Sequence, residues 1–261
     1  FVIHHKSCHP ERSEGPASSL AWSYPMHLQR LREEVLEANL ELVRRGLVLY
    51  TFGNASGIDR EQGLIVIKPS GIAYDKLRPG DMVVSDLHGK IMGGSLRASS
   101  DLDTHTLLYR EFPGIGGVVH THSEFATSFA QAGLAIPAFG TTHADYFHGP
   151  VPVTRPLTDQ AIQGDYVHET GLAILARFRA DPPIDPMGVP GCLVHGHAPF
   201  TWGRTVHDAA YNAVVLESVA RMAYRTLTLK AEADAVSQAL LDRHYQRKHG
   251  ANATYGQRNA G

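Results

Sequence analysis

Apolar residues recur at three- and four-residue steps through Leu28, Leu31, Val35, Ala38 and Leu42, with charged residues between them. That is the period of a helix with one buried face, and Gly46 is its natural stop. Beyond it the pattern breaks into short runs bounded by turn residues, which is the strand signal. Leu47 to Thr51 reads as a strand running into Gly53-Asn54, "LIVIKPSG" as a second strand ending in a Ser-Gly turn, and "MVVSD" as a third before the turn "HGK". Ser99-Ser100-Asp101 opens a helix through Tyr109, with Ser99 or Ser100 as its N-cap. "GGVVHTH" reads as strand and "SEFATSFAQAG" as helix; "GCLVHGH" is a further strand after a Pro-rich loop. A long helix from Val206 to Leu227 and a last one from Ser237 to His249 precede a polar tail.

Helices and strands interleave here without a repeated βα unit. This predicts a mixed sheet covered by layers of helices rather than a barrel. No repeat, charge block or long linker divides residues 26–261, so one domain is expected there. Residues 1–25 carry Pro, Ser, Gly and scattered charge with no apolar period, no apolar h-region and no small-residue cleavage site. They read as an extra, disordered segment ahead of a natural start at Met26.

Composition changes the picture at two points. A net charge of −2 leaves no basic footprint for nucleic acid, and the apolar runs are too short to cross a bilayer. Cys8 and Cys192 make no disulfide framework, which fits a cytoplasmic setting. The chain also holds 16 histidines, most of them between His88 and His249. Histidine is the commonest metal ligand and titrates near neutrality, so this surplus directs attention to a metal site.

Two apolar runs end in H-x-H: His120 and His122 in "VVHTHS", His195 and His197 in "LVHGHAPF". Alternate residues of a strand point to one side, so each pair can reach one ion. Three histidines plus a carboxylate or water is a common catalytic zinc pattern, and Asp101, at a helix start, is the oxygen-ligand candidate. Small-residue turns surround these elements at Gly53-Asn54, Ser70-Gly71 and Ser99-Ser100, with Lys68 beside the second. Backbone N–H groups and hydroxyls at such turns suit phosphate oxygens. No nucleotide-binding glycine motif is present.

Taken together, "GNAS", "VIKPSG", "SSDLDTH", "FPGIGGVVHTHS", "GTTHADYF", "VHGHAPFTWG" and "HYQRKHGANATYGQ" resemble the L-ribulose-5-phosphate 4-epimerase branch of the class II aldolase/adducin-like superfamily, from about Met26 to Gln257. The resemblance implies a three-layer α/β/α fold with a mixed, largely antiparallel sheet. It makes His120, His122 and His197 ligands of one Zn2+ per subunit, with Asp101 beside them and His195 not a ligand. Gly53, Asn54, Lys68, Ser70, Gly71, Ser99 and Ser100 match the substrate and phosphate cradle. Asp145 and Tyr255 match the two acid/base residues, accompanied by His244 and Arg247.

The implied activity is interconversion of L-ribulose 5-phosphate and D-xylulose 5-phosphate by breaking and re-forming C3–C4, as in L-arabinose catabolism. The implied assembly is a homotetramer with sites at subunit interfaces, Tyr255 arriving from the neighbouring chain. The alternative is a class II sugar-phosphate aldolase of the L-fuculose-1-phosphate type, a branch that typically carries Glu where this chain has Asp101. Adducin-like binding domains, the non-enzymatic alternative, lack the metal histidines that this chain keeps.

Overall fold

The computed structural model describes residues 26–250 and Ala253. Residues 1–25, on which the expectation of an extra segment falls, and Tyr255 lie outside the described residues. In chain order the elements are α1 (Met26–Arg44), β1 (Asn54–Asp59), β2 (Leu64–Ile67), β3 (Val83–Asp86), β4 (Ile91–Gly93), α2 (Leu102–Glu111), β5 (Gly117–His120) and α3 (Glu124–Ala132). There follow α4 (Thr141–Ala144), α5 (Asp159–Gln163), α6 (Tyr166–Arg179), β6 (Gly191–Leu193), β7 (Pro199–Gly203), α7 (Val206–Leu229) and α8 (Gln238–His249). Among the described residues no helix is long and apolar enough to cross a membrane.

The strands form one seven-stranded sheet in the order β4-β3-β2-β1-β5-β7-β6. Each of these pairings is antiparallel. Strand alternation sends neighbouring side chains to opposite faces, and two cores result. Val66, Val84 and Val119 pack with Leu28, Val35, Ala38 and Leu42 of α1 and with Val206, Ala209 and Ala213 of α7. Ile65, Val118, Phe200 and Trp202 pack on the other face with Leu107 and Leu108 of α2 and Ile174, Leu175 and Phe178 of α6. Helices on both faces give the α/β/α layers.

Several local expectations are corrected. Leu47–Thr51 is not a strand; it ends in a turn where Tyr50 takes a φ of 52° and stands 87% exposed. The central strand is instead "NASGID" of β1, whose Asn, Gly and Asp are poor strand formers. It is accepted because its glycine fits under α1: a Cβ on Gly57 would come within 2.8 Å of Leu31 and 3.1 Å of Val35. The N-cap of α2 is Asp101, not Ser99 or Ser100, and its side chain makes no capping hydrogen bond. Neither H-x-H lies wholly on a strand. His120 ends β5 and His122 follows it, while His195 and His197 lie in the turn joining β6 to β7.

Candidate metal centre

β1 and β5 set the frame. Their register places Asn54 opposite His120 at the end of both strands. Gly53, just before, takes a φ of +73°, and a Cβ there would lie 2.7 Å from the His120 carbonyl oxygen. Only glycine allows both the left-handed turn and that approach. The turn then sends Asn54 Nδ2 to Asp101 Oδ2 at 2.6 Å. The β6–β7 turn brings His197 over from the other side.

His120, His122 and His197 offer nitrogens that all lie within 4.8 Å of one another. His120 Nδ1 donates to the carbonyl of Pro199 at 3.0 Å. Its proton is thereby placed on Nδ1 and the Nε2 lone pair is free. That Nε2 lies 3.2 Å from Nε2 of His122. Two zinc–nitrogen bonds of about 2.0–2.1 Å at a tetrahedral angle would separate their nitrogens by about 3.3–3.4 Å, so the spacing suits two ligands of one ion. Nδ1 of His197 is buried without a partner among the described residues.

Electrostatics favour the same use. Burial first, and neighbouring imidazoles second, lower the pKa of His122 and bring His197 down to about 4. Burial also lowers that of His120. Neutral imidazole is the form that binds a metal. Burial opposes ionisation of Asp101, but its electrostatic interaction with the neighbouring His120 and His105 and the Asn54 hydrogen bond outweigh it, so its pKa falls below the ordinary carboxylate value. Asp101 lines the same cavity yet stands outside the close group of three nitrogens. His195 is apart from the group as well; its ring lies against Gly133, where a Cβ would meet Nε2 at 2.6 Å.

Around the histidines opens a cavity of about 550 Å³. Its wall includes Gly53, Asn54, Lys68, Ser70, Gly71, Ser99, Ser100 and Asp101 together with the three histidines. The two predicted constellations thus line one cavity. The turns differ in detail from the expectation, because the Ser70 N–H is bonded to the Arg97 carbonyl and the Ser99 N–H to that of Lys68. Of the small turn residues in the wall, Ser70, Gly71 and Ser100 are exposed. Lys68 is 2% exposed, with Nζ on the Pro69 carbonyl at 3.2 Å and 4.7 Å from the Tyr74 ring centre; burial lowers its pKa. A groove of about 580 Å³ beside α1 and α7, lined by Glu37, Arg44, Tyr146 and Tyr211, has no close group of metal-ligating side chains among the described residues.

Two aromatic residues of the wall were not among the candidates read from the sequence. Phe52 and Tyr166 flank the histidines, with ring centres 6.2 Å from His122 and 6.0 Å from His197 respectively. Tyr166 begins α6, a helix whose signal was available in Thr170, Gly171, Ile174, Leu175 and Phe178 at helical spacing. Asp145 is placed elsewhere, at the end of α4 and outside the cavity wall. Arg247 grips its carboxylate through Nε (3.1 Å) and Nη2 (2.9 Å), and His244 Nδ1 stands 3.0 Å away. Burial opposes ionisation of Asp145, but these two α8 partners win and its pKa is lowered.

The family model described as Class II Aldolase and Adducin N-terminal domain matches residues 33–224, which contain the whole cavity wall. An L-fuculose 1-phosphate aldolase structure is 22% identical, with a TM-score of 0.70 over 84% of this chain and 95% of that one. YgbL of Klebsiella pneumoniae, described as an aldolase/epimerase/decarboxylase, is 23% identical, with a TM-score of 0.64 over 83% and 98%. The L-fuculose-1-phosphate aldolase of Thermus thermophilus is also 23% identical, at 0.61 over 79% and 99%. At such identities the likeness to these structures is one of fold. The match of the family model across the layered sheet and its histidine cavity makes this chain a member of the class II aldolase and adducin family.

Proposed function

We propose that the chain is a zinc-dependent L-ribulose-5-phosphate 4-epimerase of the cytoplasm, working as a homotetramer. The observation that carries this reading is the convergence of three neutral imidazoles, Asp101 and the Lys68–serine cradle on one cavity. Lys68, Ser70 and Ser100 would hold the substrate phosphate, while Asn54 keeps Asp101 oriented. Zinc held by His120, His122 and His197 would supply a Lewis acid for the substrate's carbonyl and hydroxyl oxygens.

The protein's own groups then handle the proton on O4. A base removes it, the C3–C4 bond breaks, and a three-carbon enediolate and glycolaldehyde phosphate result. The cradle keeps the phosphate end tethered while the aldehyde turns. The bond re-forms on the other face, and an acid returns the proton to O4. Asp145 and Tyr255 serve one face each. Because Asp145 stands outside the cavity wall of its own chain, this role requires a site completed across a subunit boundary.

The second reading is a sugar-phosphate aldolase, the activity named for two of the similar structures. Asp101 weighs against it: a carboxylate one methylene shorter than Glu, held by Asn54, is less able to work as the aldolase base. The test is to incubate the purified protein with L-ribulose 5-phosphate and follow D-xylulose 5-phosphate. Product formation that stops on chelation, and falls in Tyr255→Phe without loss of bound zinc, is expected. Full activity in excess chelator refutes the metal role, and free aldehyde release as the main reaction selects the aldolase.

A further inference from the structure

Beneath the cavity runs a buried polar chain to which the reading above gives no task. Ser56 Oγ, in the middle of β1, lies 2.7 Å from His105 Nδ1 and 2.8 Å from Tyr109 OH. All three residues are 0% exposed. Ser56 sits in the same motif as Asn54, and His105 in the same motif as Asp101.

The direction of the protons follows from counting donors and acceptors. The Tyr109 hydroxyl has no acceptor among the described residues except Ser56 Oγ, so it donates there. Ser56 has one proton, and it goes to His105 Nδ1. His105 therefore carries its own proton on Nε2. The reverse order would strand a buried phenol proton. Nε2 itself is buried with no partner among the described residues.

A buried, unsatisfied N–H costs about 1–3 kcal/mol, and a residue kept only for packing would not carry that cost. Its surroundings point to the cavity. Asp101 is one helical turn earlier, its carbonyl accepting the His105 backbone N–H at 3.1 Å. The His105 ring also meets Phe200 edge-on at 6.1 Å, and Phe200 stacks on His120 at 4.3 Å. On Asp101 both hydrogen bonds, from Asn54 and Ser99, fall on Oδ2.

We propose that Tyr109, Ser56 and His105 form a positioning relay for Asp101: their hydrogen bonds tie β1 to α2 and so hold the Asp101 carboxylate against Asn54 beside the metal site. The relay rests on the reading of the cavity as a zinc centre. It adds to that reading three residues that touch neither ion nor substrate. Groups of this kind typically set metal affinity or activity by about 10–100-fold.

The experiment measures zinc affinity by chelator competition, kcat and KM for L-ribulose 5-phosphate, and thermal stability, in the full chain and in Ser56→Ala and His105→Phe. Zinc affinity and kcat are expected to fall about 10-fold or more in each, with KM little changed. Stability of His105→Phe should change little, because the variant loses the unsatisfied Nε2–H but leaves the Ser56 hydroxyl proton without its acceptor. In an Asp101→Asn background, His105→Phe should cost nothing further. Additive losses in that background, or wild-type zinc affinity and kcat in the single variants, overturn the relay. Ser56→Ala carries the same test should His105→Phe fail to fold. A wild-type chain that binds no zinc refutes the cavity reading instead, which separates the two failures.

Discussion

Glu217 is a buried carboxylate in the middle of α7, 5% exposed, and its partners lie some ninety residues away. Oε1 accepts the N–H of Phe125 at 2.9 Å and Oε2 that of Ala126 at 3.0 Å. These are first-turn donors of α3, and Ser123, the N-cap of that helix, makes no side-chain cap of its own. Glu217 therefore does the capping from another element and sets a negative charge at the positive end of a helix dipole. Glu217→Gln keeps the shape but can accept only one of the two N–H groups; its amide NH2 then opposes the other, whichever way it is flipped. Leaving one buried donor unsatisfied costs about 1–3 kcal/mol, and losing the charge from the remaining bond costs about 1 kcal/mol more. The expected total is about 2–4 kcal/mol, read in guanidinium denaturation at fixed protein concentration with an unchanged m-value. The melting temperature should fall by roughly 5–15 °C. Because Glu124 follows His122 by only two residues, zinc affinity should drop in the same variant, by up to about tenfold. A stability loss under about 1 kcal/mol would refute the reasoning, since it would mean that the two hydrogen bonds do not cap the helix.

Two further outcomes follow from groups near the cavity. In the metal-free protein, burial holds His105 at a pKa of about 3 against 6.5 for the free side chain. The unfolded chain therefore takes up a proton that the folded one does not, and stability is lost as pH falls from about 6.5 towards 3. Between pH 7.5 and 5.0 that residue accounts for about 2 kcal/mol; His120 and His197 act in the same direction. Denaturation curves in chelator that coincide at the two pH values would contradict this. Tyr74 offers its hydroxyl to the carbonyls of Phe52 (3.0 Å) and Gly53 (2.9 Å) while its ring underlies Lys68, so it ties together two segments of the cradle. Tyr74→Phe should raise KM for the phosphorylated substrate roughly tenfold with kcat unchanged; a matching fall in kcat would show that Tyr74 acts on the chemical step.

What could be read from the sequence was what repeats along it. The helical period of α1 and the apolar face of α7 announced themselves, and the two H-x-H pairs with Asp101 pointed to a metal before any fold was known. β1 was not legible, because its place at the sheet's centre depends on Gly57 fitting beneath α1, a contact between distant segments. Leu47–Thr51 misled for the converse reason: it is apolar, yet it turns outward and leaves Leu49 and Tyr50 exposed. The second H-x-H looked like the first, but the β6–β7 turn directs only His197 to the cluster. Ser56, His105 and Glu217 have no local signal at all, since their partners exist only after the sheet is paired.

The pairing of Asn54 with His120 across β1 and β5 also orders the assembly of the site in time. Strand side chains alternate faces, so a slip of one residue would bring Ala55 opposite His120 and turn Asn54 away from Asp101. His120 and His122 are neighbours in the chain and present a two-nitrogen grip even when it is unfolded; His197 arrives only when β7 has closed on β5, after a long loop has paid its entropy. A divalent ion present during refolding can thus be held early by an incomplete pair, but it reaches its full affinity only on the correctly registered sheet. Metal added after folding selects for that register, and metal added before it tests whether the chain can find it.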